Sequence, residues 1–351
     1  MRLLFLPWIG LQNDIQFGNI LFWNYAEGKE KYITDKSIMN KCDNIFSRFK
    51  SPVDHENPLN ICVASVKTKN KMEIEVSEKH FERLNNAIIC ITFVYLARLY
   101  MEDKDPNIHV NSDAFQVWQM DFDDIGFIFA EGRRRDYYSW GSSREFYRPG
   151  YIQSPREMRI ENDLLKALQM GFLNRKARKE FNRILRAMEH FNYSNSHSPS
   201  VFLESKIILS CTAYEILLEI GFSGEKKKRI MEKFGQVLGQ DKGERKTIRK
   251  KAPKMGPHTK NEWWIYDYYD LRNAIVHGDK VGYSKYSSNE MEYQRFGLRK
   301  RVKVPHLYIS GKYFRKCVIN KLEKLNLYKN MWQEAKEQSE KALAKHYKNK
   351  A

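Results

Sequence analysis

The octapeptide Leu271-Arg272-Asn273-Ala274-Ile275-Val276-His277-Gly278 separates an arginine from a histidine by four residues and sets an asparagine beside the arginine. A guanidinium can hold a phosphate through its fork of donors. An imidazole can give or take a proton near neutral pH. Together they are a small kit for cutting RNA without a metal. The loose pattern, an arginine, four to six residues and a histidine, is weak, because Arg183…His190 and Arg301…His306 also fit it. The second fails on local structure, since Pro305 precedes the histidine and should break a helix. The first lies mid-helix with nothing polar in support. Arg272…His277 differs from both. Asn273 and His277 stand four apart on one helix face. Leu271 and Ile275 share another face that can pack inward. Gly278 is a helix stop that leaves His277 in the last turn. A helix C-terminus favours the protonated ring, and Arg272 nearby opposes it.

Those residues need a scaffold. A helix predicted over Val201–Ile220, capped by Ser200, puts Ile208, Cys211 and Leu218 on one stripe, and Glu215 falls on it too. A carboxylate on an apolar stripe is costly unless paired. Arg272 offers it a two-point fork. The other reading, kept beside the first, has Glu215 at the stripe's edge reaching water.

The pair Ile207-Ile208-Leu209-Ser210-Cys211-Thr212-Ala213-Tyr214-Glu215-Ile216-Leu217-Leu218 and Tyr268-Tyr269-Asp270 followed by the octapeptide resembles the HEPN superfamily. The nearest flavour is the Apea-like branch of bacterial anti-phage proteins, in which an AxE-type helix precedes the Arg-Asn-x-x-x-His helix. The likeness covers residues 155–350 and is strongest at Leu271–Gly278. It implies an up-down helical bundle, a homodimer that sets two Arg-His motifs face to face in one cleft, and metal-independent RNA cleavage. Position by position, it implies that Arg272 binds the scissile phosphate and the charge growing on it. His277 would take the proton from the ribose 2′-hydroxyl or give one to the leaving oxygen. Asn273 would orient the phosphate or the histidine, and Glu215 would hold Arg272. There is one departure. Relatives paired with nucleotidyltransferase antitoxins carry a modified tyrosine two places after the histidine, where this chain has Asp279.

The totals agree with a nucleic-acid partner. Lys and Arg number 61 against 43 Asp and Glu, and the surplus of +18 favours a polyanion, nucleic acid before an anionic membrane surface. A hydrophobic share of 42% is enough for real cores and excludes a disordered chain. The length of 351 residues suits two domains. Cys42, Cys62, Cys90, Cys211 and Cys317 are scattered, with no Cys-x-x-Cys pair, so neither a disulfide framework nor a metal site is suggested, and a reducing cytoplasm fits. The apolar start, Met1–Trp8, is too short for a signal peptide. The greasy run Ala87–Ala97 is well short of the ~20 residues that span a bilayer.

Composition divides the chain into an α+β domain over 1–153 and an all-α domain over 154–351, which the resemblance implies is a HEPN-like bundle. In the first, Arg2–Ile9, Ile15–Trp23, Asn60–Lys67, Phe115–Asp121 and Gly126–Ala130 read as strands, with Glu73–Val76 pairing back. His80–Met101 reads as a helix and Arg133–Gly150 as a loop. In the second, helices are predicted over Glu161–Gly171, Asn174–Phe191, Val201–Ile220, Glu225–Leu238, Glu262–His277 and Ser310–Lys350.

Three further clusters invite a function. The basic stretch Lys242–Lys254 reads as an arm gripping RNA backbone, with Lys246, Arg249, Lys250 and Lys251 as contacts; the alternative is a solvated loop. Arg133, Arg134 and Arg135 with Tyr137, Tyr138, Trp140, Phe146 and Tyr147 suit base stacking or, the reading preferred, an interdomain seam. Trp263, Trp264, Tyr266, Tyr268 and Tyr269 suit core or dimer packing. Asp121, Asp123 and Asp124 read as a surface turn and not a cation site.

The expectation is therefore a cytoplasmic endoribonuclease needing no cofactor, acting in phage defence or toxin-like growth arrest. Its front domain would sense a trigger or restrain the nuclease, with room for a neutralising or activating partner. The competing expectations are a non-catalytic HEPN module that binds RNA or protein, and a DNA-binding regulator, for which no base-reading helix stands out.

Overall fold

Strands open the chain because its first apolar runs are short, β-branched or aromatic, and bounded by turn residues. In a computed structural model the described residues are 2–51, 61–67, 72–73, 77, 80–99, 111–122, 127–131, 137–140, 145–152, 160–221, 224–238, 246–249, 256–288, 292–295, 298–301 and 304–329. Strands β1 (Arg2–Leu6), β2 (Ile15–Phe17), β3 (Ile20–Asn24), β5 (Cys62–Lys67), β6 (Met72–Glu73), β7 (Trp118–Phe122), β8 (Phe127–Glu131) and β9 (Tyr137–Trp140) form one antiparallel sheet, ordered β2-β3-β5-β1-β7-β8-β9 with β6 added to β5. Leu4 of β1 faces Ala64 on one side and Gln119 on the other. β3 is buried at every position, and β1 from Leu3 to Leu6, as strands covered on both faces must be.

The single strand expected over Ile15–Trp23 is instead a hairpin. Gly18 takes a φ of +62° in the two-residue turn between Phe17 and Ile20, a conformation glycine adopts without a steric penalty. Two helices not foreseen follow, α1 (Tyr25–Tyr32) and α2 (Lys36–Phe46). Asp35 caps the second by accepting from the amides of Ser37 and Ile38. Phe46 then packs edge-on against Phe5 of β1, centroids 5.0 Å apart. The expected loop over Arg133–Gly150 supplies edge strand β9 and the short β10 (Phe146–Tyr147), which pairs with β4 (Phe49–Lys50). Phe146 stacks on Phe49 at 5.2 Å. Arg133, Arg134, Arg135, Asp123 and Asp124 lie outside the described residues.

Helix α3 (Phe81–Leu99) is apolar around most of its girth because it packs on both parts of the chain. It meets β3 of the sheet and also α5 and α9 below. Phe93 touches Phe191 and Phe314, each at 5.8 Å, and Asn192 donates its side-chain N–H to the Ile89 carbonyl at 3.0 Å.

From Asn162 on the chain is mainly helical, so the fold is α+β with a helical C-terminal part. Helices α4 (Asn162–Leu173), α5 (Arg178–Ser194), α6 (Leu203–Leu217), α7 (Lys226–Leu238), α8 (Lys260–Val276) and α9 (His306–Lys324) pack together, α6 lying against α5, α8 and α9. The hairpin β12 (Glu292–Arg295) and β13 (Leu298–Arg301), and the pair β11 (Ser287–Ser288) with β14 (Val304–Pro305), stand between α8 and α9. Two sequence expectations need correction. Phe202, and not Ser200, is the N-cap residue of α6, and it makes no side-chain cap. Pro305 breaks no helix; it caps the start of α9, where no intrahelical N–H is required of it. The closing helix is described to Lys324 only.

Among the described residues no helix is long and apolar enough to cross a membrane.

Candidate active site

The motif helix is fixed at both ends by its own sequence. At the start, Thr259 and Glu262 form a capping box: the Glu262 amide donates to Thr259 Oγ1 at 3.2 Å, and the Thr259 amide donates to Glu262 Oε2 at 2.7 Å. At the end, His277 is the C-cap and Gly278 has a φ of +77°. The Gly278 amide donates to the Ile275 carbonyl at 3.1 Å and the Asp279 amide to that of Ala274 at 2.9 Å, the paired bonds of a Schellman stop. Leu271 is buried and Ile275 packs against the core, as their shared face predicts. The His277 ring is exposed on the last turn.

Around Arg272 the packing of α6 and α8 gathers four side chains. Arg272 Nη2 lies 3.8 Å from Glu215 Oε1, a separation beyond a hydrogen bond, so no two-point fork forms. The closer partner of that oxygen is Tyr269, whose hydroxyl donates to it at 2.5 Å. Burial, and then the bond to Glu215, push the Tyr269 phenol well above its usual range, so it remains a donor. Arg272 Nη1 donates to Asn273 Oδ1 at 3.0 Å, and the guanidinium lies 5.5 Å from the Tyr269 ring centroid. Arg272 Nε is buried with no acceptor among the described residues. On the carboxylate's other side, Lys226 Nζ is 3.9 Å from Glu215 Oε2. The Arg272 and Glu215 side chains are 21% and 16% exposed, so the pair sits at the bottom of a surface, neither free in water nor sealed away.

This arrangement has a chemical consequence. A guanidinium has five N–H donors. Here one is used on Asn273, one is buried, and the carboxylate is held off by the phenol. Among the described residues, donors on Nη therefore remain for an oxyanion, with positive charge only partly offset by a carboxylate shared with Lys226.

The basic stretch goes elsewhere. Arg249 donates to both oxygens of Asp267, at 2.6 and 2.7 Å, and lies 4.7 Å from the Trp263 ring. Thr247 bridges to His258, and its carbonyl accepts from Trp263 Nε1 at 2.9 Å. The segment thus docks on the first half of α8, some ten residues before His277, or about 15 Å along the helix. Lys246 is exposed there, whereas Lys250 and Lys251 lie outside the described residues.

The two other Arg–His spacings have structural explanations. Arg183 pairs with Glu180 and Glu219, at 2.6 and 3.0 Å. His306 is buried, stacks on Tyr268 at 5.6 Å and accepts from Trp264 Nε1 at 3.1 Å.

Two participants at the site were missed. Tyr269 belongs to an aromatic run whose pattern indicates packing, and nothing in its local sequence marks a hydroxyl aimed at Glu215. Lys226 had a signal, the run Lys226-Lys227-Lys228-Arg229 at a predicted helix start.

No family model, curated protein or solved structure matches the chain.

Among the described residues no group of three or more His, Cys, Asp and Glu gathers at metal-binding distance.

Proposed function

We propose that the chain is a HEPN-type endoribonuclease in which Arg272 binds the scissile phosphate and His277 moves a proton. The observation that carries the proposal is Arg272, held over Tyr269 by Asn273 yet kept off Glu215, with donors left for an anion. The ribose 2′-hydroxyl attacks phosphorus as its proton passes to a base, and the 5′-oxygen leaves as it gains one. The products are a 2′,3′-cyclic phosphate and a 5′-hydroxyl. One imidazole serves as base or as acid, so a second His277 from a twofold-related copy completes the set. Support for that copy comes from an apolar side chain left exposed beside His277, Val276 at 49%. The net charge of +18 suits an RNA partner. From the family resemblance we carry over a role in phage defence or growth arrest in the cytoplasm, with the sheet-containing front part as sensor or restraint.

The test is cleavage of RNA in EDTA by wild type, Arg272→Ala and His277→Ala. Loss of about 10²–10³-fold is expected for the arginine and about 10²–10⁴-fold for the histidine. Equal cutting by all three ends the proposal. Salt-sensitive RNA retention without cutting would point to the non-catalytic module instead.

A further inference from the structure

We propose that Tyr283 is a stacking platform for a base of single-stranded RNA, with the basic segment around and after it holding adjoining phosphates; the inference rests on the ribonuclease reading above. Past Gly278 the chain makes a single turn of 3-10 helix at Tyr283–Tyr286. Tyr286 anchors that turn. Its ring packs against the core, and its hydroxyl donates to Glu204 Oε1 at 2.9 Å, which ties the turn to the start of α6. Tyr283 does the opposite. Its ring centroid lies 6.4 Å from that of Tyr286, and the residue is 86% exposed. A phenol ring so open contributes little burial to folding. Two residues before Glu204, the N-cap residue Phe202 is 70% exposed as well. Open rings on two elements joined by a hydrogen bond form an apolar patch of the kind that marks a binding surface.

Charge decides what covers the patch. Lys280 and Lys285 flank Tyr283 and are exposed. From Lys285 to Lys303 the sequence holds six Lys and Arg against two Glu, with Tyr293 and Phe296 among them. The backbone folds this stretch into the hairpin β12–β13, which sets Tyr293 opposite Lys300 and Gln294 opposite Arg299. β11 pairs with β14 directly after Tyr286, so the basic hairpin springs from the base of the Tyr283 turn. Rings interleaved with cations match a strand in which bases and phosphates alternate, and the face of a ring accepts any base. A second copy of the chain would bring its own +18 to the same surface, which opposes self-association there. The position suits a flanking nucleotide. β14 leads into His306, which is bonded to Trp264, thirteen residues or about 20 Å along α8 before His277. The turn lies on this return path, away from the reacting phosphate.

Binding of a single-stranded RNA oligonucleotide is measured by fluorescence anisotropy across a KCl series. The proteins are full-length His277→Ala, to prevent cutting, and the same chain with Tyr283→Ala or Tyr283→Trp added. Losing one stacked base should weaken binding about 5- to 150-fold for Tyr283→Ala. The slope of log K against log salt should not change, because no ionic contact is lost. Tyr283→Trp should restore the affinity. An abasic oligonucleotide keeps the phosphates without the bases, and on it Tyr283→Ala should make no difference. A loss of equal size on both strands, with a lowered melting temperature, would mark a structural role and overturn the inference. Undiminished binding of the ordinary strand by Tyr283→Ala overturns it too, while the ribonuclease reading stands; loss of self-association in that variant would then assign the patch to a second copy. Absence of any salt-dependent RNA binding by the His277→Ala protein overturns both.

Discussion

His306 gives a sharp test of how α8 is held. Its ring is 6% exposed, and burial lowers its pKa from 6.5 to about 4. Trp264 can only donate, so its bond to Nδ1 requires an unprotonated nitrogen and works in the same direction. In the unfolded chain the imidazole titrates near 6.5. Between pH 6.5 and 4 the unfolded state therefore carries one more proton than the folded state. Stability from this group is complete above pH 6.5 and is lost as the pH falls to 4, at about 1.4 kcal/mol per pH unit, or about 3 kcal/mol over the window. His306→Asn keeps an acceptor for the indole and removes the titration. Urea unfolding at pH 7.5 and 4.5 should show wild type losing about 2–3 kcal/mol more than the variant, carboxylate contributions cancelling in the difference. Parallel losses in the two proteins would refute a buried neutral imidazole between α8 and α9. An NMR titration placing His306 near 6.5 would do the same.

Two other perturbations test the frame around the site. Tyr269→Phe removes the hydroxyl that donates to Glu215, and urea unfolding should show a loss of about 1–2 kcal/mol; unchanged stability would show that the bond contributes nothing. Asp113 is buried and accepts from Ser196 Oγ and the His197 amide, both at 2.6 Å, just before α6 begins. Asp113→Ala should cost about 2–4 kcal/mol and speed amide exchange at His197, and protection equal to wild type at that amide would count against the anchor.

Much of the helical part was legible because its elements are amphipathic over several turns. Leu271 and Ile275 face inward as their spacing requires, and Gly278 ends the helix where a positive φ is needed. The sheet was less legible. Ile15–Trp23 carries no turn signal except Gly18-Asn19, and two residues suffice for a turn that the flanking apolar residues hide. α1 was missed because Gly28 and four charged residues dilute its helix signal; Gly28 is there because a Cβ would lie 2.5 Å from the Trp23 ring. Pro305 is compatible with a helix because its steric clash falls on the preceding turn, and α9 begins only after it. At the site, charge complementarity linked Glu215 to Arg272 across 57 residues. It could not reveal that a phenol would take the better position on that carboxylate, since a tyrosine in an aromatic run gives no sign of where its hydroxyl points.

Among the described residues, the polar contacts that tie α8 to other elements all lie before its last turn. Arg249 and Thr247 hold its first half through Asp267 and Trp263, His306 holds Trp264, and Glu215 meets Tyr269 and Arg272. Beyond Arg272, Ile275 still packs on the core, while Val276 is half exposed and His277 exposed, the stop being held by backbone bonds from His277, Gly278 and Asp279 to Asn273, Ile275 and Ala274. The phosphate-binding half of the proposed site is thus set by side-chain packing, and the proton-moving half by helix termination alone. Proton transfer requires heavy atoms within about 3 Å of one another, and a cap residue on an exposed turn does not secure that by itself. On the proposed mechanism the imidazole reaches working geometry only against RNA and a second copy of the chain, so dilution below the dimer dissociation constant should abolish turnover more steeply than it weakens RNA binding through Arg272.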